Sequence, residues 1–276
     1  MAKCKESKKV AYLGPEGSFC EEAAKKHFSE GMLVPCTSVA SIFVAVESAE
    51  VDCGVVPVEN STEGSVSSTL DCLLESKVMV CGEVELKVIQ NLIVKPGMKL
   101  DEIKVILSHP HALAQCRQFI EKTFPHAELK ETSSTSKAVE LLGCVSNAAA
   151  IGTETAALKS RMTVLKRGIE DSHNNFTRFF VLAEKDSEPT GRDKTSLIFS
   201  TKHMPGSLYD VLEVFATRNV NLTKIESRPQ KEMPWNYLFY LDFEGHRTDL
   251  KMVKALEEMR DRCDFIKVLG SYPRVA

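Results

Sequence analysis

The sequence predicts an α/β protein of two domains, and three observations support this prediction. The chain has 276 residues, which is more than one small core needs, since single domains usually contain about 100 to 200 residues. Short apolar, β-branched runs alternate with helical patterns from Lys9 onward, which is typical of parallel α/β architecture. Residues 184–194 then form a polar stretch containing Pro189 and Gly191, as expected of an exposed linker.

The composition argues against several classes of function. Formal net charge is −3, and the basic residues form neither a stripe nor a basic helix-turn-helix, so a nucleic-acid partner is not expected. The sequence contains neither an apolar signal segment near residue 1 nor a run of the ~20 apolar residues that span a bilayer. The nine cysteines are scattered without Cys-x-x-Cys spacing, which is typical of reduced thiols. We therefore expect a cytoplasmic protein.

The first lobe of the first domain is predicted to contain three strands, each followed by a helix. Ser18 and Glu21 have the spacing of a capping box at the start of the first helix. The apolar residues from Val39 to Val46 repeat with the period of the second helix. The predicted strands are Lys9 to Leu13, Leu33 to Cys36 and Cys53 to Val58, and the third helix is Val66 to Leu74.

The second lobe is predicted to begin with the long extended stretch from Val78 to Val94, which carries the chain out of the first lobe. Strands near Met162 to Ile169 and Arg178 to Ala183 lead back to the first lobe. We therefore expect lobes of residues 1–77 plus 170–185 and of residues 78–169, with a ligand cleft between them. The elements between these strands are strands Val105 to Leu107 and Ala149 to Ile151, and helices Ala112 to Lys122 and Ser136 to Leu142.

The second domain, residues 194–276, is predicted to contain six elements. They are strand Thr195 to Thr201, helix Ser207 to Arg218, strand Asn221 to Glu226, strand Tyr237 to Phe243, helix Leu250 to Arg262 and strand Phe265 to Leu269. This βαββαβ order is typical of the ferredoxin-like fold.

Polar residues concentrate where the predicted strands lead into helices. Residues 14–19 lie at such a junction, where free N–H groups and the helix dipole favour a carboxylate or phosphate, although a structural turn fits them equally well. Residues 57–65 place hydroxyls, an amide and two carboxylates at the sheet edge where open α/β sheets bind ligands. An N-cap with a solvated loop is the alternative.

Three further junctions have the same character. Residues 108–116 contain His109 and His111, but zinc needs more convergent ligands than these two, so we expect no metal. The hydroxyl cluster of residues 132–136 is also explained by helix capping. Residues 174–179, Asn-Asn-Phe-Thr-Arg-Phe, place a hydroxyl and a guanidinium at the mouth of a strand, although Thr and Phe are ordinary strand formers.

Taken together, these segments resemble the prephenate dehydratase family in their order and approximate spacing. Residues 221–229 resemble the phenylalanine-binding segment of the ACT domain that follows the dehydratase domain in that family. The resemblance covers nearly the whole chain and departs at Ser207, Cys20 and His111, where Ala, Ser and Gln are commoner. The matching segments of the first domain are Gly14 to Phe19, Gly54 to Gly64, His109 to Cys116, Ala149 to Ala157 and Asn174 to Phe179.

The resemblance implies both a fold and a reaction. Residues 1–185 should form a catalytic domain like the two-lobed periplasmic binding proteins, followed by the ferredoxin-like ACT domain at 194–276. The family reaction converts prephenate to phenylpyruvate by loss of carbon dioxide and the ring hydroxyl, without a cofactor. Because the first predicted strand begins at Lys9, we expect no preceding chorismate mutase domain, which some relatives carry.

The chemistry of this reaction assigns candidate roles to the polar residues. Protonating the departing hydroxyl is worth ~10²- to 10⁴-fold in rate, and Thr177 is the candidate donor, assisted by Arg178 or a relay, with a protonated Glu59 as the alternative. Because the substrate is a dicarboxylate, directed donors must bind it. The catalytic candidates are Thr177, Arg178, Glu59 and Asn60, and the substrate-binding candidates are Ser18, Ser61, Ser108, Gln115, Ser134 and Phe179.

The resemblance also implies regulation by L-phenylalanine. In this family ACT domains pair between subunits and the effector binds at that interface, so a homodimer or homotetramer is expected. The candidate effector-binding residues are Gly206, Ser207, Leu208, Asn221, Leu222, Thr223, Glu226, Ser227, Arg228 and Pro229.

Two other functions fit much of the sequence. An arogenate dehydratase performs the same chemistry on a substrate with an amino-acid side chain, and the sequence does not separate the two. A non-catalytic amino-acid-binding protein would also have two lobes and a sensing domain. Thr177 and Arg178 argue against it, because a receptor needs no proton donor at a leaving oxygen.

Overall fold

The computed structural model describes residues 8–230 and 236–275. By contacts the chain divides into two compact units, one comprising residues up to Ile42, Val55–Ser67 and Glu85–Phe179, the other Phe43–Gly54, Ser68–Val84 and the residues from Phe180 onward. Three segments of the predicted first domain, residues 43–54, 68–84 and 180–185, therefore belong to the same compact unit as the C-terminal domain. Among the described helices none is long and apolar enough to cross a membrane.

The first sheet contains most of the predicted first lobe. Its elements are β1 (Lys9–Leu13), α1 (Phe19–His27), β2 (Met32–Cys36), α2 (Val39–Glu47), β3 (Cys53–Asn60), β4 (Gly64–Ser65), α3 (Ser67–Glu75) and β5 (Met79–Lys87). The strand order is β2-β1-β3-β11-β5, where β11 is Phe176–Ala183 and β4 pairs with β3. β1 and β2 run parallel, with Lys9 opposite Met32. The sequence predicted β1 with these bounds and β2 and β3 within two residues.

The second sheet has the strand order β10-β6-β9-β7-β8. Its elements are β6 (Asn91–Val94), a short 3₁₀ helix (Leu100–Glu102), β7 (Val105–Ser108), α4 (Pro110–Gln115), α5 (Arg117–Thr123), β8 (Glu128–Glu131), α6 (Thr135–Leu141), β9 (Ala148–Gly152), α7 (Glu154–Lys159) and β10 (Thr163–Lys166). The parallel strands β7, β8 and β9 have buried apolar helix faces beside them, and the core includes Leu92, Ile106, Cys116, Ala149 and Ile151.

The path of the chain between the two sheets differs from the prediction. β5 lies in the first sheet, so the chain changes sheet between Lys87 and Asn91 and not at residue 78. The prediction that residues 162–169 lead back to the first lobe is wrong, because β10 pairs with β6 in the second sheet and β11 alone returns. An apolar run shows that a strand exists, but its pattern does not identify the strand's partner.

Three local differences also have physical explanations. The helix predicted at residues 112–122 is two helices, because the backbone of the buried Cys116 leaves helical geometry, with φ −113° and ψ 18°. β8 has four exposed residues and so lacks the apolar alternation that predicts a strand. The six-residue helix α7 is too short to show a helical period.

The C-terminal domain has the predicted βαββαβ order. Its elements are β12 (Asp193–Thr201), α8 (Ser207–Ala216), β13 (Leu222–Pro229), β14 (Tyr237–Glu244), α9 (Leu250–Arg262) and β15 (Cys263–Pro273). The sheet is antiparallel with strand order β13-β14-β12-β15, which confirms the ferredoxin-like topology. Its core contains side chains from both helices and the central strands, among them Phe199, Phe215, Phe243 and Met259.

Candidate functional site

The loop after β3 and the chain entering β11 are joined by hydrogen bonds around Asn60. The Asn60 Nδ2 donates to Thr177 Oγ1 at 2.9 Å and to Asn175 Oδ1 at 2.8 Å. Ser61 adds three bonds: its backbone N–H donates to the Phe176 carbonyl at 2.9 Å, and its hydroxyl accepts from the Phe176 N–H at 3.0 Å and donates to the Asn174 carbonyl at 3.1 Å. Residues far apart in the sequence are thus held together at one sheet edge.

The orientation of the Asn60 amide follows from the other half of its side chain. Its Oδ1 accepts from the backbone N–H groups of Thr62 at 2.9 Å and Glu63 at 3.1 Å, and only the oxygen of an amide can accept. The nitrogen must therefore face Thr177. The Thr177 oxygen accepts this bond, and the Thr177 hydroxyl still has one hydrogen that it can donate to a bound molecule.

Arg178 and Glu59 lie on the neighbouring strands β11 and β3. Their closest atoms, Arg178 Nη1 and Glu59 Oε2, are 3.9 Å apart, and the side chains are 12% and 37% exposed. This separation is too long for a hydrogen bond, so the guanidinium is not clamped by this carboxylate. A mostly buried guanidinium at the start of β11 can bind an incoming carboxylate in bidentate geometry.

Glu63 forms the contact between the β3 loop and helix α4. Its Oε1 lies 3.1 Å from Gln115 Nε2, which donates to it, and 2.7 Å from His111 Nδ1. Gln115 Oε1 in turn accepts from Gln90 Nε2 at 3.0 Å. The structure therefore brings the predicted Gln115 to the same loop as Asn60.

Ser18 caps helix α1, as its sequence position predicts. Its hydroxyl donates to the Leu13 carbonyl at 3.2 Å and accepts from the Glu21 N–H at 3.3 Å. The reciprocal bond of the predicted capping box is shifted by one residue, because the Glu21 carboxylate accepts from the Gly17 N–H. Ser18 is half-buried, and its hydroxyl is engaged within the loop.

Gly17 brings the Ser18 loop against the start of helix α7. The Gly17 φ is +77°, and a Cβ built there would lie 2.8 Å from the Ala156 Cα, so this position requires glycine. The Thr153 hydroxyl donates to the Gly17 carbonyl, and the Thr155 hydroxyl donates to Glu22 Oε1 at 2.7 Å. The family-like segment 149–157 thus holds the Ser18 loop in place.

Two of the predicted substrate-binding residues lie inside the protein. Ser108 is fully buried and its hydroxyl donates to the Ile151 carbonyl at 2.7 Å, so it joins β7 to β9 and does not face a ligand. Phe179 is 1% exposed, which places it in the core, the alternative that the sequence left open. Ser134 is half-buried and caps α6 by accepting from the Lys137 N–H at 3.0 Å.

The side chains of His109 and His111 lie next to each other, and that of His111 also contacts Glu63. Their rings are 5.1 Å apart, His109 Nδ1 accepts from the His111 N–H at 3.3 Å, and His111 contacts Glu63. Within residues 8–230 and 236–275, no group of three or more metal-binding side chains is present.

Sequence reasoning gave no role to three residues that build this site, namely Asn175, Glu63 and Gln90. Asn175 is 2% exposed, accepts the second Asn60 bond with its side chain, and accepts from the Val88 N–H with its carbonyl. Gln90 is likewise 2% exposed. A polar residue beside a motif is a signal, but its burial and its partner cannot be read from the sequence.

Six of the ten predicted effector residues line three different cavities of the C-terminal unit. Residues 206–208 line a cavity of about 410 Å³ together with Tyr237 and Phe239. Asn221 lines a second cavity of about 410 Å³ with Asn219 and Lys251. Arg228 and Pro229 line a third, of about 190 Å³, in which Arg228 Nη1 lies 3.0 Å from Asp71 Oδ1. One chain therefore does not assemble the predicted effector residues into a single pocket.

Comparison with known proteins gives two family matches. Residues 10–187 match the family model described as prephenate dehydratase, and residues 195–261 match that of the ACT domain.

Individual relatives match along most of their length. The bifunctional chorismate mutase/prephenate dehydratase of Aquifex aeolicus is 45% identical, over 96% of this chain and 74% of that protein. The prephenate dehydratase of Methanocaldococcus jannaschii is 39% identical, over 97% of this chain and 98% of that protein. The arogenate dehydratase/prephenate dehydratase 2 of Arabidopsis thaliana is 38% identical, over 96% of this chain and 72% of that protein. The crystal structure of prephenate dehydratase from Arthrobacter aurescens in complex with L-Phe is 34% identical, with a TM-score of 0.88 over 96% and 90% of the chains.

The site makes one prediction about stability. Burial would raise the pKa of Glu21, but bonds from Lys159, Lys25 and the Gly17 N–H outweigh it and lower this pKa below the ordinary value of 4.5. A lowered folded-state pKa stabilises the protein above the unfolded-state pKa, and this stabilisation is lost as the pH falls through the folded-state value. We expect Glu21→Gln to lower the free energy of unfolding by roughly 1 to 3 kcal/mol at neutral pH.

Urea unfolding of the Glu21→Gln variant and wild type over a pH series measures this difference. It should shrink as the pH falls below about 4.5, the ordinary value. Glu16→Gln is the matched control, because Glu16 also pairs with Lys159 but its side chain is 63% exposed. A Glu21→Gln difference that does not change with pH would contradict this account of the loop.

Proposed function

We propose that this chain, which belongs to the prephenate dehydratase family, converts prephenate to phenylpyruvate at the site around Thr177. The observation that carries the proposal is the orientation of Thr177, whose oxygen accepts from the Asn60 amide and whose proton is available. Arg178 is the next residue and provides the cation that a dicarboxylate substrate needs. This combination suits an enzyme that must protonate a leaving oxygen, and a receptor has no use for it.

The reaction breaks two bonds of the substrate. The electron pair of the bond to the ring carboxylate enters the ring as carbon dioxide leaves, and the ring C–O bond breaks with its electron pair on oxygen. The Thr177 proton passes to this oxygen, so that water departs. An alcohol is a weak acid, but the Asn60 N–H bond to Thr177 Oγ1 at 2.9 Å stabilises charge on the Thr177 oxygen until a proton from solvent restores the hydroxyl.

The overall reaction is tested by adding prephenate to purified protein and measuring phenylpyruvate. Arogenate, the substrate named for the plant relative, is offered in parallel, and the larger kcat/KM identifies the natural substrate. A protein that turns over neither substrate would contradict the proposal.

Removing the Thr177 hydroxyl should affect the transition state far more than substrate binding. We expect Thr177→Ala to lower kcat by ~10²- to 10⁴-fold with a small change in KM, because a donor to the leaving oxygen acts mainly as the bond breaks. Steady-state kinetics measure both constants.

Thr177→Ser is the control, since it keeps the hydroxyl and should retain most of the turnover. If Thr177→Ala keeps wild-type turnover while Glu59→Gln abolishes it, the donor is Glu59.

Replacing Arg178 by lysine should instead damage binding. An ammonium keeps the charge but cannot make the bidentate contact of a guanidinium, so we expect KM for prephenate to rise in Arg178→Lys. The loss of one charged hydrogen bond, about 1.5 to 3 kcal/mol, corresponds to a roughly ten- to hundredfold increase in KM. An unchanged KM in the same kinetic assay would exclude Arg178 as the anchor.

We propose further that L-phenylalanine, the ligand of the Arthrobacter relative, regulates this chain at an interface between two copies. The candidate effector residues line separate cavities in one chain, which favours a site completed by a second ACT domain. Apolar side chains beside residues 206–208 are exposed, Met204 by 60% and Tyr209 by 67%, as expected of a surface that pairs. This supports a homodimer or a dimer of dimers.

Helix α3 is the element that we propose to transmit the effect. Arg228 Nη1 lies 3.0 Å from Asp71 on α3, and Tyr240 Oη donates to the Leu70 carbonyl at 2.9 Å. Lys267 Nζ donates to the carbonyls of Leu73 and Leu74 at 2.8 Å. α3 follows β4 directly in the chain, and β4 ends the loop that contains Asn60. A shift of strand β13 would therefore act on the catalytic loop through α3.

Arg228→Ala should weaken inhibition by phenylalanine. We expect half-inhibition to require a higher phenylalanine concentration, while basal turnover stays close to wild type. A loss of about 1 to 3 kcal/mol of coupling free energy corresponds to a roughly 5- to 150-fold increase in that concentration. Inhibition curves measure this shift.

The Asp71→Asn variant distinguishes the transmission of inhibition through α3 from the binding of phenylalanine. It should weaken inhibition while calorimetry shows nearly unchanged phenylalanine affinity, because Asp71 contacts Arg228 from α3. Inhibition curves identical to wild type in both variants would exclude this route.

We also propose that the protein works in a reducing compartment such as the cytoplasm. Burial raises the pKa of the Cys20 thiol to about 12 and that of the Cys263 thiol to about 11, which suppresses the reactive thiolate at both positions.

A further inference from the structure

The carboxylate of Glu63 occupies a place where a ligand carboxylate would be bound well. A single oxygen, Oε1, lies 2.7 Å from His111 Nδ1 and 3.1 Å from Gln115 Nε2. Both nitrogens belong to helix α4, and Glu63 belongs to the loop that holds Asn60. The chain's own carboxylate thus binds two nitrogen donors beside the proposed catalytic group.

Gln115 is held rigidly from behind. Its Oε1 accepts from the Gln90 side chain at 3.0 Å, and its backbone carbonyl accepts from the Asp171 N–H at 2.7 Å. Gln90 is itself 2% exposed, and its backbone N–H donates to Glu170 at 2.9 Å. Because these bonds fix the amide, Gln115 Nε2 remains aimed at the Glu63 position when the Glu63 side chain moves away.

The Glu63 side chain, by contrast, is easily displaced. It is 41% exposed and its His111 partner is 60% exposed, and ion pairs at such exposures are worth about 0 to 1 kcal/mol. Its backbone N–H stays bound to Asn60 Oδ1 at 3.1 Å. Rotation about side-chain bonds can therefore release the carboxylate without disturbing the catalytic loop.

We propose that Gln115 and His111 form a carboxylate subsite for the substrate and that Glu63 fills this subsite as an internal competitor in the empty protein. The inference rests on the proposed function, since it needs a dicarboxylate substrate with one carboxylate beyond the reach of Arg178. On binding, a substrate carboxylate takes the place of Glu63 Oε1. Gln90 is then a positioning residue, which acts through Gln115.

Glu63→Ala tests this inference, because it removes the competitor and keeps both donors. We expect kcat/KM for prephenate to rise roughly two- to fivefold, the fold-change that corresponds to an exposed pair. Glu121→Ala is the control, since it removes another exposed carboxylate, one that is 62% exposed and pairs with Arg117 on helix α5. It should leave kcat/KM unchanged, which separates local competition from general repulsion of a dianion.

The second arm places Glu63→Ala in a Gln115→Leu background. We expect Gln115→Leu alone to raise KM, and the gain from Glu63→Ala to shrink in its presence, because the two groups act at one subsite. Thermal unfolding of each variant confirms that it is folded. A kcat/KM that falls or stays constant in Glu63→Ala, or a gain that persists undiminished without Gln115, would overturn the inference. Wild-type protein without activity on prephenate would instead refute the proposed function.

Discussion

The site depends on the side-chain amide of Asn60. Its oxygen accepts hydrogen bonds from backbone N–H groups of the loop that follows β3, and its nitrogen donates to the side chains of Asn175 and Thr177 on the chain entering β11. One amide therefore joins the loop that follows β3 to the chain entering β11 and donates a hydrogen bond to the Thr177 oxygen. A half-buried amide whose oxygen and nitrogen both have partners is held rigidly, which is the property a proton donor requires.

A second constraint is charge. The chain carries a net charge of −3, yet it must bind a dicarboxylate, so the attraction has to be local. Arg178 is 12% exposed and lies 3.9 Å from Glu59, and its guanidinium has the geometry for a bidentate contact with a ligand carboxylate. The carboxylate of Glu63 contacts the side-chain nitrogens of His111 and Gln115 on α4. Acidic side chains here shape the site as much as the basic ones do.

The sequence predicted most of the architecture, because apolar periodicity reports burial and the helix N-caps are local. β1 and α9 have the predicted bounds, and Ser18 caps α1 as expected. The pairing between strands was harder to predict, since the sequences of β10 and β11 both indicate strands but the two strands lie in different sheets. The same limit applies to side chains: Ser108 and Ser134 both precede helices, but only the structure shows that Ser108 is buried against Ile151.

The central claim is that the Thr177 hydroxyl gives its proton to the leaving oxygen. The most direct test is the single-turnover rate of phenylpyruvate formation in H₂O and in D₂O, for wild type and for Thr177→Ser. If the proton moves as the C–O bond breaks, both proteins react more slowly in D₂O at matched pH and pD. Equal rates in the two solvents would show that no proton is transferred in the bond-breaking step, and would contradict the account.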